Sequence, residues 1–240
     1  IVGETEAVSD NVLILQGIID LTVPSGGSDG KAIHLVATED IADLSVFGVG
    51  VANNGGGTDG MEYSLDAVSA MSGDDILIVR SVEAMSAYFA DCYSEFEIIM
   101  IANSNISQNG DDAIELYEQG VLIETYGDVD LDGTGEVWEY MDSWAYSNGN
   151  GTWTYGGVNC TDDSQTSATS DCPYPICTSE PLDVLGCMDP EACNYNPSVT
   201  QNDGSCTYAD LYYDCDGNCI NDIDMDGECD EVDYDDGLGM

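Results

Sequence analysis

The segment Asp222-Ile-Asp224-Met-Asp226-Gly227-Glu228-Cys229-Asp230-Glu231-Val232-Asp233 sets oxygen donors at the positions a twelve-residue calcium loop requires. Asp222, Asp224, Asp226, Glu228, Asp230 and Asp233 occupy positions 1, 3, 5, 7, 9 and 12, and Gly227 stands at the sharp turn. Ca²⁺ is a hard cation that takes six to eight oxygens. Alternate side chains on either side of a glycine turn can wrap one ion, with position 7 ligating through its carbonyl. Asp233 replaces the usual Glu, so the bidentate ligand is one methylene short. A second loop has the same spacing: Asp128, Asp130, Asp132, Thr134, Glu136 and Glu139, with Gly133 at position 6. The alternative for this second loop is an acidic hairpin whose strand already claims Trp138 and Glu139. Asp214, Asp216 and Asn218 repeat the 1, 3, 5 spacing and could share Asp222 with the loop that follows.

Charge points the same way. The chain has 48 acidic residues against two basic ones, Lys31 and Arg80, and carries a formal charge of −46. Such a chain repels itself unless cations condense on it or occupy defined sites. Binding nucleic acid needs clusters of Lys and Arg to neutralise phosphate, and anionic membrane surfaces need them too. Neither partner is expected. A surface adapted to high salt would also explain the surplus. Disorder would not, because 43% of residues are apolar and recur in periodic runs.

Catalysis has little to work with. General acid–base and nucleophilic chemistry usually recruits His or Lys. The single histidine, His34, lies in the strand-like run Ala32-Ile33-His34-Leu35-Val36 and reads as structural. A carboxylate pair of the glycosidase type is compatible with the composition, yet no pair stands out. The chain is therefore read as non-enzymatic.

The ten cysteines (Cys92, Cys160, Cys172, Cys177, Cys187, Cys193, Cys206, Cys215, Cys219 and Cys229) include no Cys-x-x-Cys pair. With His34 isolated, zinc–thiolate sites are not expected, and an even count in an acidic chain argues for disulfides and an oxidising, extracellular compartment. All ten are expected to pair, Cys160 and Cys172 forming the closest plausible bridge. The start at Ile1 reads as a mature form from which a signal segment has been removed. No apolar run approaches the ~20 residues of a membrane span.

Positioning these residues are many short apolar runs separated by Gly, Asn and Asp turns. Strands are expected over 12–23, 32–37, 44–51, 61–65, 76–79, 97–102, 113–117, 121–126 and 138–146, with a short helix over 81–90. The pattern implies an antiparallel sandwich or barrel. Beyond Thr152 the composition changes. Asp-Gly-x-Cys recurs at Asp203, Asp216 and Asp226, and residues 187–233 hold six cysteines but few aliphatics. So small and polar a segment needs disulfides and bound metal to offset chain entropy. The expected organisation is an arm over 1–10, a β-sandwich over 11–180 and a Cys-rich calcium-binding module over 181–240.

Two resemblances follow from these residues. Asn109-Gly-Asp-Asp-Ala-Ile-Glu-Leu-Tyr117, Gly120-Val-Leu-Ile123, Gly127-Asp128 and Trp138-Glu-Tyr-Met-Asp-Ser-Trp-Ala-Tyr146, together with Ile41-Ala-Asp-Leu-Ser45 and Asn53 to Gly60, resemble the lamin tail domain in its secreted bacterial branch. The match covers roughly residues 11 to 178. It implies an immunoglobulin-like β-sandwich that binds or scaffolds without catalysing. Ser147 stands where that family often has Arg. The second stretch, Gly186 to Pro197 through Asp203-Gly-Ser-Cys206 and Asp214-Cys-Asp-Gly-Asn-Cys219, resembles repeats of marine bacterial surface proteins, and the final Asp-rich loop resembles the thrombospondin type 3 class. Those repeats fold around Ca²⁺ and disulfides. Together the features imply a secreted calcium-binding structural protein, a filament subunit assembling with itself through its N-terminal arm. The alternatives are a monomeric adhesion module for surface glycans or proteins, and an accessory region of a larger hydrolase.

Overall fold

The computed structural model describes residues 11–22, 28–178, 185–187, 189–195, 201–202, 204–215, 217–222 and 229. The chain divides into two compact units, 1–178 and 179–240.

The first unit is mainly β. A six-stranded sheet has the order β10-β9-β1-β2-β5-β6, built from β1 (Leu13–Leu21), β2 (Gly30–Ala37), β5 (Asp75–Val79), β6 (Ile98–Ile101), β9 (Ser143–Ser147) and β10 (Trp153–Tyr155). A four-stranded sheet has the order β4-β3-β7-β8, from β3 (Phe47–Ala52), β4 (Tyr63–Ser64), β7 (Ala113–Glu118) and β8 (Val121–Tyr126). Ile33, Leu35, Ile76 and Ile78 of the larger sheet share one core with Val49, Val51, Ile114 and Leu116 of the smaller.

Alternation explains which face each strand turns inward, and β1 shows it best. Leu13 and Leu15 enter the core between the sheets; after a bulge between Leu15 and Gly17, Ile18 enters it instead. One extra residue reverses the side-chain parity. The displaced Ile19 and Leu21 join a second core on the outer face, with Leu77 and Val79. The six-stranded sheet is thus covered on both sides, which accounts for its uninterrupted apolar runs.

The helix α1 (Val82–Phe89) closes the second core with Met85, Tyr88 and Phe89. Ser81 caps it, its hydroxyl accepting from the Ala84 amide at 3.2 Å. This helix carries the chain between β5 and β6, which pair in parallel. Parallel neighbours require such a crossover, so this one pair departs from the antiparallel pattern expected of the sequence.

Two further expectations need correction. Trp138 to Tyr146 is not one strand: β9 begins at Ser143, and residues 138–142 form a loop. The aromatic residues there plug an end of the sandwich, Tyr140 being fully buried with its hydroxyl donating to the Asp112 carbonyl at 2.9 Å. Leu44 to Val46 is a 3₁₀ turn ahead of β3, because the Asp43 carboxylate accepts from the Ser45 amide at 2.9 Å and caps it. The three-residue β10 has too little periodicity to be read from sequence.

All ten cysteines are paired. Cys92–Cys177 and Cys160–Cys172 lie within the first unit; Cys187–Cys206, Cys193–Cys215 and Cys219–Cys229 lie within the second. In the second unit a short parallel ladder joins β11 (Leu185–Gly186) to β12 (Gln201–Asn202). Its buried residues, among those described, are Cys187, Ala192 and Cys229. Among the described residues, sulfur bridges stand there in place of an aliphatic core. Five disulfides indicate folding in an oxidising environment, and no described helix is long and apolar enough to cross a membrane.

Candidate functional site

The loop 127–142 joins β8 to β9 and carries the acidic series Asp128 to Glu139. Asp128 Oδ1 accepts from the Asp130 amide at 3.0 Å, and Asp132 Oδ1 accepts from the Thr134 amide at 2.9 Å. These are local turns in which a carboxylate satisfies the backbone two residues on. The bond from Thr134 holds the exposed Asp132 carboxyl below its ordinary pKa. Glu139 reaches back to the Gly135 amide at 2.7 Å, and the Thr134 hydroxyl donates to Asp111 Oδ2 at 2.9 Å. Glu136, like Asp128, Asp130 and Asp132, is exposed.

Gly133 has a reason other than a metal. A Cβ there would stand 2.5 Å from Cη2 of Trp138 and 2.7 Å from the Asp111 carbonyl oxygen. The indole therefore occupies the space a side chain would need. Trp138 packs against the inter-sheet core and edge-on to Tyr126, whose hydroxyl donates to the Trp138 carbonyl. Among the described residues, no three His, Cys, Asp or Glu side chains converge closely enough to hold a metal ion.

Turn motifs distant in sequence meet beside this loop. The amides of Asn54 and Asn109 donate to the two oxygens of Asp112 at 2.7 and 3.0 Å, and the Gly57 amide donates to the Val129 carbonyl at 2.9 Å. The loops 53–57, 109–112 and 128–139 are thus tied into one structure. Asp112 is fully buried, and burial pushes its carboxyl pKa up against the pull of the two amides.

In the second unit Asp214 and Asn218 face each other. The Asn218 amide donates to Asp214 Oδ1 at 2.8 Å, and the Asp214 amide donates to the Asn218 carbonyl at 2.8 Å. Asp216 lies outside the described residues. So do Asp224, Asp226, Glu228, Asp230 and Asp233; of that loop's candidate ligands only Asp222 is described. The Cys219–Cys229 bridge brackets most of it.

No known protein family, characterised protein or solved structure matches the chain. Its function must be argued from its own geometry.

That geometry includes two buried polar groupings that spacing alone does not reveal. His34 is fully buried: Nε2 lies 2.7 Å from Asp75 Oδ1 and Nδ1 lies 3.0 Å from the Tyr174 hydroxyl. Burial lowers the imidazole pKa although Asp75 pulls the other way, so the ring is neutral at pH 7. A carboxylate only accepts, which places the proton on Nε2 and makes Nδ1 the acceptor of the Tyr174 O–H. Phe96, Tyr146 and Tyr174 surround the ring. The second grouping pairs Asp20 with Lys31 at 2.6 Å, side chains 6% and 9% exposed. The other basic residue, Arg80, donates from Nη1 to the Ile106 carbonyl at 3.3 Å.

Proposed function

We propose that the chain is a secreted, calcium-binding structural protein of the cell surface or extracellular matrix. Its first unit is read as an immunoglobulin-like sandwich of the lamin-tail type, and its second as a calcium- and disulfide-stabilised repeat of the thrombospondin type 3 kind. The observation that carries this reading is the disposition of charge. Both basic side chains are engaged internally, Lys31 with Asp20 and Arg80 with a carbonyl, while the carboxylates of a chain with 48 acidic residues dominate its surface. Copies of such a surface repel one another at contact, because salt at physiological ionic strength screens charges only beyond ~8 Å. Divalent cations bound by oxygen ligands relieve that repulsion where sodium does so weakly.

Calcium is assigned first to Asp222, Asp224, Asp226, Glu228, Asp230 and Asp233, on their spacing. The Asp128 loop is the weaker assignment, because no three of its carboxylates converge on one point. Assembly is supported by the sheet edges. Among the described residues β8 pairs on one side only, and it exposes Val121 and Leu122, at 65% and 46%. An edge of this kind can accept a strand from another chain. The arm proposed to supply that strand, residues 1–10, lies outside the described residues. No catalysis belongs to the reading: His34 is enclosed by aromatic rings.

Light scattering of the purified protein against calcium, with sodium at matched ionic strength as control, tests the proposal. Growth of ordered multimers in calcium alone supports it. A chain that stays monomeric at millimolar calcium overturns assembly and favours a monomeric adhesion module, which a glycan array would then reveal.

A further inference from the structure

Lys31 is the sole lysine of a chain whose only other basic residue is Arg80, and it is not on the surface. It stands in β2 directly opposite Asp20 in β1, with Nζ 2.6 Å from Oδ1. The β1 bulge sets Asp20 on the same inward face as Ile18, and Lys31 shares the face of Ile33 and Leu35. Gln108, fully buried, lies alongside, its amide donating to the carbonyls of Ile19 and Ala32 at 3.4 and 3.2 Å. An amine and a carboxyl are thus held in contact, shielded from water, on neighbouring strands.

We propose that Lys31 and Asp20 become joined by an intramolecular isopeptide bond, a covalent clip between β1 and β2. The reaction balances with no oxidant or cofactor. In the buried pair the ammonium of Lys31 passes one proton to the Asp20 carboxylate, giving amine and carboxylic acid. The nitrogen lone pair attacks Cγ of Asp20 and forms the C–N bond. The hydroxyl then leaves with a proton from nitrogen, so that one amide and one water result. Burial raises the Asp20 pKa, which favours the acid form that the attack requires. The carboxylates of Asp112 and Asp142 lie within electrostatic reach of the pair. Condensation in water is unfavourable for separate molecules. Well-oriented intramolecular partners, however, reach effective molarities of about 10⁵–10⁸ M. Exclusion of water protects the product. Unlike the five disulfides, this clip would survive reduction.

The test is the mass of the purified chain after complete reduction and alkylation. The expected value is one water below that of the sequence. Peptide mapping by tandem mass spectrometry should locate the loss in a branched peptide joining the Asp20 and Lys31 segments, and trypsin should fail to cut after Lys31. Succinimide formation at an Asp-Gly pair such as Asp29-Gly30 also removes water, but it gives no branched peptide and reverses in mild base. Lys31→Met should restore the full mass. If that variant does not fold, the mass and branch of the natural chain still decide. A full-mass chain whose Lys31 takes an amine reagent after denaturation overturns the proposal, as does a water loss mapped elsewhere.

Discussion

The Tyr174 hydroxyl donates to Nδ1 of His34 at 3.0 Å across 140 residues of sequence, and so fastens the last stretch of the first unit to the middle of its larger sheet. The Tyr174 ring has room because residue 17 is glycine: a Cβ there would stand 1.8 Å from the hydroxyl oxygen. Cys92–Cys177 closes the same region covalently, bringing the segment after α1 to the segment after Tyr174.

Removing only that hydroxyl, in Tyr174→Phe, leaves a buried imidazole nitrogen without its donor. The expected cost is about 1–3 kcal/mol, measured by denaturant unfolding with the disulfides intact. Gly17→Val should cost at least as much, by driving the ring from its site.

The Cys92–Cys177 bridge spans 85 residues. Replacing both cysteines by serine should lower stability by about 2–5 kcal/mol, and the first unit should still fold on its two cores. Thiol labelling of the denatured, unreduced natural chain should modify no cysteine.

Gly133→Ala separates the two explanations of the Asp128 loop. Overlap with the Trp138 ring should cost about 1–3 kcal/mol in calcium-free buffer. If the glycine served only to shape a metal loop, the loss would appear in calcium affinity and stability without calcium would be unchanged. Calorimetry in chelator and in calcium distinguishes these results.

For the C-terminal loop, Asp226→Ala should weaken calcium binding more than Glu228→Ala, since position 7 ligates through its backbone carbonyl. Isothermal titration of the oxidised chain reads the difference directly.

Stability should also depend on pH in an unusual direction. Glu124 crosses between the sheets to accept from the Leu15 amide at 2.8 Å, and burial raises its pKa above the ordinary 4.5. A carboxyl raised in the folded state takes up its proton there first. Its stabilising contribution is full below the unfolded pKa and is lost as pH rises through the folded value. Asp112 acts in the same sense. His34 acts oppositely: its pKa is lowered from 6.5, so stability falls as pH drops below that value. Glu124→Gln should therefore flatten the gain in melting temperature on acidification toward the carboxylate range, while leaving the loss just below 6.5 in place.

Much of the scaffold was legible in local pattern. Leu13, Leu15, Ile33, Leu35, Ile76 and Ile78 alternate as strands covered by a core must, and Ser81 announces the helix that follows it. Cysteine parity, four before residue 181 and six after, agrees with two bridges in one unit and three in the other. The acidic loops were equally plain as spacing. Only the tertiary structure decided what Gly133 accommodates, because the Trp138 ring that fills its space is positioned by the core. Only the β1 bulge, a single unpaired residue, decided that Asp20 turns inward to meet Lys31. Burial of His34 between Asp75 and Tyr174 depends on groups 41 and 140 residues away. Periodicity reports which face of an element is apolar. It carries no information about which distant side chain will complete a buried hydrogen bond, because that choice is made by packing.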